Sequence, residues 1–356
     1  MSFPLATIDG AALRNNLGIV RRLAPRSRIL AVVKADAYGH GIIGTAKTLV
    51  EADAFGVARL AEAITLRSSH VRHRIVLLEG VTDAEQLQAA TQHELDIVVH
   101  SFEQIEMLER AERSARFDVW LKADTGMNRL GFRVDAFAQA LARLQRCASV
   151  RTLRLMTHLS ASEEADGATS DRQIRMFDEL TAGLVFERSI ANSGGIICRT
   201  DAHAEWVRPG LMLYGMSPLG AESAEELRLQ PAMTLSAPLI AIRTVEAGEG
   251  VGYGSTWRAP RRSRIGIAAI GYGDGYPRNM QTGAPVLVDK QQAGLVGRVS
   301  MDMIAIDITD LPSARLGSEA ILWGAGLRAE RLAPFAGTIA YELVCRVNER
   351  VAVKRI

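Results

Sequence analysis

The chain has only three cysteines in 356 residues, Cys147, Cys198 and Cys345, set far apart and without a Cys-x-x-Cys spacing. That scarcity excludes a disulfide framework and a cysteine-based zinc site, and no metal is expected. Runs of about five or six like charges are also missing. With 42 Lys and Arg against 40 Asp and Glu, the net charge is +2, so nucleic acid is not an expected partner. The short basic series Arg258, Arg261, Arg262 and Arg264 is interrupted by a proline and reads as a solvated loop. No stretch approaches the ~18 apolar residues of a membrane span. The opening Met-Ser-Phe-Pro-Leu-Ala lacks a basic segment followed by an apolar one. A cytoplasmic protein with no membrane partner is expected. Internal repeats and low-complexity tracts are absent as well.

What is present is enough apolar sequence to fold: 48% hydrophobic against 23% charged residues. The length exceeds the roughly 250–300 residues at which single cores stop growing, so two domains are expected. From residue 28 short apolar runs alternate with amphipathic stretches. Candidate strands cover 28–33, 54–58, 74–78, 95–99, 117–121, 152–157, 187–191 and 207–214, with helix-like segments such as 41–51, 101–115, 136–146 and 171–184 between them. Eight such units suit a (β/α)8 barrel over 1–230. A doubly wound sheet would carry a glycine-rich dinucleotide turn after its first strand, and Lys34-Ala-Asp-Ala-Tyr-Gly-His-Gly41 is not that turn. From 231 to 356 strands follow one another without intervening helices, predicting a second, all-β domain.

In such a barrel, chemistry sits at the C-terminal ends of the strands. The first strand ends on Lys34, at an apolar mouth where desolvation favours the neutral amine needed for Schiff-base chemistry. A lone lysine there is as readily a salt-bridged one. Gly39 and Gly41, Ser193-Gly-Gly195 and Arg208-Pro-Gly-Leu211 offer backbone N–H groups to a phosphate, though each is also an ordinary βα turn. A strand-end lysine facing a phosphate cup at the last strands is the layout of a barrel that binds pyridoxal phosphate.

Six motifs then occur in order from near residue 5 to residue 350: Ala31-Val-Val-Lys-Ala-Asp-Ala-Tyr-Gly-His-Gly41, Lys122-Ala-Asp-Thr-Gly-Met-Asn-Arg-Leu-Gly-Phe132, Arg208-Pro-Gly-Leu-Met-Leu-Tyr-Gly215, Gly252-Tyr-Gly-Ser-Thr256, Gly271-Tyr-Gly-Asp-Gly-Tyr-Pro-Arg278 and Gly297-Arg-Val-Ser-Met-Asp302. Together they resemble the alanine racemases. The resemblance implies a (β/α)8 barrel with a C-terminal β domain, pyridoxal 5′-phosphate held by Lys34 as an aldimine, and a two-base racemisation between L- and D-alanine. Lys34 would serve one face of the substrate and Tyr253 the other. Two faces are needed because a proton taken from one side of a planar carbanion must return on the other. A tyrosine, with a reference pKa near about 10, needs help as a base, and the family's neighbouring histidine is matched by His158.

By the same resemblance Arg208 faces the pyridine nitrogen, where a guanidinium leaves that nitrogen unprotonated and suppresses transamination. The phosphate is expected to contact Tyr38, Ser193, Gly210, Leu211 and Tyr341. The substrate carboxylate maps to Arg129 and the backbone of Met301, with Asp302 beside it. Lys122 matches a lysine that is often carbamylated; pairing with Asp124 is its ordinary alternative. Tyr253 and Met301 would reach the site of a neighbouring subunit, implying a homodimer. The same chemistry serves either role, supply of D-alanine as a peptidoglycan precursor or breakdown of L-alanine after racemising it. A racemase of broader specificity, acting on serine or basic amino acids, is the alternative reading. A barrel decarboxylase would need a larger substrate pocket and a cysteine-bearing motif from its β domain, where Gly297-Arg-Val-Ser-Met-Asp302 stands instead, and a non-catalytic cofactor carrier would have no use for Tyr253.

Overall fold

The computed structural model describes residues 4–112, 114–164 and 166–356. These fall into two compact units, one within 16–37 and 41–213 and the other within 4–15, 38–40 and 214–356.

The first unit is a closed parallel barrel of eight strands: Arg28–Val32, Ala54–Val57, Arg74–Leu77, Asp96–Val99, Phe117–Lys122, Val150–Met156, Arg188–Ser189 and Trp206–Val207. Closure runs through Arg28 beside Trp206 and Ile29 beside Val207. The expected strand ends agree to within a residue or two except at the last, where Leu211–Tyr214 is a 3₁₀ turn rather than strand. The strands read as near-continuous apolar runs because helices cover their outer face and side chains fill their inner one. One inner layer consists of Leu30, Ala54, Val76, Val98, Trp120, Met156 and Trp206, all buried. The barrel interior is therefore packed core, and only its ends are open to chemistry.

Charges close the end where the strands begin. Arg74 pairs with Asp96 at 2.5 Å and with Asp118 at 2.6 Å, and Arg151 reaches Asp118 at 3.0 Å. Arg154 and Arg28 both pair with Glu187, which also accepts from Trp206 Nε1, while Trp120 Nε1 donates to Asp96 at 3.0 Å. Burial pushes the Asp96 carboxyl up by more than Arg74 and Trp120 pull it down. Burial also acts against Asp118, but there the hydrogen bonds from Arg151 and Arg74 win and hold it well below the usual carboxylate range.

The second unit is built on an eight-stranded sheet in the order Ser263–Ala268, Ile304–Asp307, Gln291–Val296, Pro285–Val288, Glu319–Trp323, Met233–Val245, Leu5–Ile8, Ala352–Arg355. The 13-residue strand Met233–Val245 pairs with Glu319–Trp323 through its first half and with Ser263–Ala268 through its second, with register shifts at Leu235/Ser236 and Leu239/Ala241, so the sheet curls round on itself. Residues 4–15 join this unit because Leu5–Ile8 lies between Met233–Val245 and Ala352–Arg355 in the ladder. The unit is not purely β: helical turns at Ala329–Leu332, Ala333–Ala336 and Ala340–Cys345 fill the connection to the last strand. Among the described residues no helix is long and apolar enough to cross a membrane.

Replacing Asp96 by Ala would leave Trp120 Nε1 without its buried acceptor and Arg74 with Asp118 alone. The barrel should lose about 3 kcal/mol of stability, readable as a lower urea midpoint.

Candidate active site

At the end where the barrel strands finish, four cations collect. Lys34 follows the first strand, Lys122 ends the fifth, Arg129 stands on the loop after it, and Arg208 follows the eighth. Arg208 is only 5% exposed. Its Nη1 donates to Ser189 Oγ at 2.6 Å, and its Nη2 donates to the carbonyls of Thr157 at 2.5 Å and Ile190 at 3.2 Å. Burial pulls its pKa down to about 10, which leaves it charged at neutral pH. The same Nη2 lies 3.3 Å from Nδ1 of His158. A guanidinium can only donate, so Nδ1 accepts and the neutral imidazole carries its proton on Nε2. Burial, then the charges of Arg208, Lys122, Arg129 and Lys34, hold His158 well below the usual histidine range.

Lys122 is buried, and desolvation followed by the charges of Arg208, Arg129 and Lys34 brings it down to about 8, against a small opposing pull from Asp124. Asp124 is occupied elsewhere. Its Oδ1 accepts the N–H groups of Gly126 and Asn128 at 3.0 Å each, which shapes the loop carrying Arg129. That loop closes where Phe132 N–H donates to the Lys122 carbonyl at 2.8 Å. Gly131 permits the closure: a Cβ there would sit 2.7 Å from the Asp124 nitrogen. Arg129 itself is exposed.

At the last strands, Ser193 Oγ accepts the N–H groups of Gly210 at 3.0 Å and Met212 at 3.4 Å. Ser193, Gly210 and Leu211 are buried, and the neighbouring Gly194 packs against Ser162, whose Oγ would lie 2.4 Å from a Cβ there. Lysine amine, charged guanidinium on carbonyls, and a buried serine hydroxyl whose own hydrogen is free to donate form a set that fits a phosphorylated pyridine aldehyde.

Lys34 opens an unusual turn. Ala35, Asp36, Ala37 and Tyr38 all have φ between 51° and 55°, followed by Gly39 at 76°, so the short helix Lys34–Gly39 is left-handed. Each such L-residue costs roughly 1–2 kcal/mol, and nothing in Lys-Ala-Asp-Ala-Tyr announces it. Sequence reasoning placed Lys34 and missed the turn, and it also missed Glu62, whose carboxylate accepts Ala35 N–H at 2.6 Å.

In the second unit, the Tyr38 ring stacks on Tyr214 at 4.7 Å and meets Tyr341 at 6.0 Å. Tyr341 lies on the helix Ala340–Cys345, not at a strand end. Burial, then Tyr341 and Cys345, push the Tyr38 phenol up, so it acts as a hydroxyl donor. Tyr253 occupies the tip between the paired segments Gly250–Val251 and Trp257–Arg258 and is 67% exposed; Met301 is 52% exposed. The Met301 carbonyl accepts Gly273 N–H at 2.8 Å. Asp302 is held by Arg350 at 2.6 Å, and the same guanidinium lies 3.3 Å from Asp274. Asp302 is therefore engaged within its own unit and anchors the Met301 loop. Arg350, unmarked by any motif, was not legible from sequence.

Two family models match the chain: the alanine racemase N-terminal domain over residues 8–218 and the alanine racemase C-terminal domain over 232–355. The alanine racemase of Aeromonas hydrophila subsp. hydrophila is 48% identical over 357 residues, with 100% of both chains covered. That of Nitrosococcus oceani is 49% identical over 353 residues, 99% of each chain. Among solved structures, the biosynthetic alanine racemase from Pseudomonas aeruginosa superposes with a TM-score of 0.96 at 45% identity, with 100% of each chain covered.

The depressed His158 sets a sign for pH dependence. Below about pH 6.5 the unfolded chain protonates this histidine while the folded one does not, so stability falls as pH falls, by up to about 1.4 kcal/mol per unit. Urea midpoints between pH 5 and 8 should fall less steeply for His158→Asn than for the parent; parallel slopes would contradict the assignment.

Proposed function

The chain belongs to the alanine racemase family, and on that footing we propose that it interconverts L-alanine and D-alanine with pyridoxal 5′-phosphate as cofactor. The observation that carries the reading is the meeting of His158 and buried Arg208 at the barrel mouth that Lys34 opens. Lys34 would hold the cofactor through Nζ, with Tyr38, Ser193, Gly210, Leu211 and Tyr341 around its phosphate. When bound, pyridoxal phosphate supplies an electron sink that acidifies the α-hydrogen of an amino acid.

Arg208, kept charged by three oxygen acceptors, would meet the pyridine nitrogen without giving up its proton, which would favour return of the α-proton over transamination. Lys34 Nζ takes or returns that proton on one face and Tyr253 Oη does so on the other. His158, with its proton on Nε2, is the hydrogen-bond donor that favours the Tyr253 phenolate. Arg129 and the Met301 backbone take the substrate carboxylate; Asp302, tied to Arg350, fixes the Met301 segment. Tyr253 and Met301 complete the site of a second copy, making the working form a homodimer. Their exposure, with that of Tyr272 and Met303, gives the second unit the apolar surface such an interface uses. Three free cysteines fit a cytoplasmic protein.

The test is visible absorption of the purified protein with D-alanine formation measured alongside. Wild type should show the lysine-bound cofactor band and form D-alanine from L-alanine faster than it racemises lysine. Lys34→Ala should lose both. A band without D-alanine would sink the reading in favour of a carrier or another substrate.

The electrostatics of Lys122 generate a second outcome. With its amine brought down to about 8, roughly a tenth is neutral at pH 7, enough for carbon dioxide to add. The carbamate places a negative group near Arg129. A ¹³C carbamate signal should appear under labelled carbon dioxide and vanish in Lys122→Met; its absence from wild type removes the modification.

A further inference from the structure

Four successive residues after Lys34 sit in the left-handed region, with φ of 53°, 51°, 54° and 55°. L-residues visit that region singly, so a run of them is imposed from outside the segment. One hold is internal: Asp36 Oδ1 accepts Ile42 N–H at 2.7 Å, and the Asp36 carbonyl accepts Gly41 N–H at 2.9 Å. The other is Glu62, on the first turn of the helix Leu60–Ser68 that follows the second barrel strand. Its Oε1 accepts Ala35 N–H at 2.6 Å, and its Oε2 accepts Ala58 N–H at 2.8 Å and Arg59 N–H at 3.0 Å.

Both oxygens are thus in use, one on the turn and one on the chain leaving the neighbouring strand. The Ala35 N–H belongs to the peptide plane on the C-terminal side of Lys34. Fixing that plane fixes ψ of Lys34. We infer that Glu62 is a positioning residue for Lys34, a carboxylate clamp that ties the first strand's exit to the second's and aims Nζ into the barrel mouth. This rests on the reading of Lys34 as the cofactor lysine. A neutral amide cannot substitute, because glutamine offers one acceptor oxygen and turns its NH₂ toward a backbone donor.

The experiment compares wild type, Glu62→Gln and Asp83→Ala in the full-length protein. Asp83 caps a different barrel helix by accepting Gln86 N–H at 2.8 Å, so its loss costs stability without touching Lys34. Hydrogen–deuterium exchange is followed in peptides covering residues 33–42, and pyridoxal phosphate affinity by titration of the visible band. Glu62→Gln should speed exchange in those peptides and weaken pyridoxal phosphate about tenfold, while Asp83→Ala leaves both unchanged. Wild-type exchange at 33–42 in Glu62→Gln, or an equal loss of affinity in both variants, overturns the clamp. If the glutamine variant does not fold, Glu62→Asp, which keeps the charge but withdraws it by one methylene, takes its place under the same criteria. If pyridoxal phosphate binding proves independent of Lys34, the cofactor reading fails, and the exchange at 33–42 alone still decides the clamp.

Discussion

The barrel mouth depends on cations crowded into a place where water is scarce. The charges of Lys34, Arg129 and Arg208 act on buried Lys122, and all four act on His158. The outcome differs by side chain. Arg208 stays charged because its delocalised cation finds a hydroxyl and two carbonyls to donate to. Lys122 and His158, with weaker holds on their protons, shift toward neutrality. A mouth of this composition favours anions, and it keeps a neutral imidazole and an amine with a sizeable neutral fraction beside a fixed positive charge.

The two ends of the barrel show opposite solutions to buried charge. Where the strands begin, arginines meet Asp96, Asp118 and Glu187 in short, multiply bonded pairs, and the charge is spent on holding strands together. Where they finish, the cations have few acidic partners, and the charge is left for chemistry. The parallel strand direction makes this division possible, since every strand brings its first residues to one end and its last to the other. Arg208 bridges the two roles: it ties the exits of the sixth and seventh strands through Thr157 and Ile190 while presenting its charge to the site.

Backbone conformation adds a second constraint. The left-handed turn after Lys34 runs against the preference of each of its four L-residues and persists because Glu62, Asp36 and the neighbouring amides over-determine it. Gly39 continues it where a Cβ would collide with the Val344 carbonyl at 2.2 Å. Strain of this kind, placed directly after a reactive side chain, fixes the backbone from which that side chain departs.

The eight barrel strands were legible because each is an apolar run bounded by polar helix sequence, and burial on both faces leaves no other reading of that pattern. Lys34, Lys122, His158 and Arg208 were legible because chemistry in such a barrel gathers at strand ends, so position in the repeat pointed to them. The six ordered motifs carried the family. Glu62, Arg350, Ser189 and the N-terminal strand's place in the second sheet carried no such mark: each acts through partners distant in sequence, and a lone glutamate or arginine looks like any surface charge. The handedness of the turn at 35–38 was equally silent, since alanine and tyrosine have no local reason to adopt it. Sequence by itself determined which residues are the candidates for the chemistry and the architecture that sorts them to one end, because periodicity and burial are local properties of the chain. Tertiary structure alone decided their protonation and aim, because desolvation, mutual repulsion and a clamp across two strands exist only once the barrel has closed.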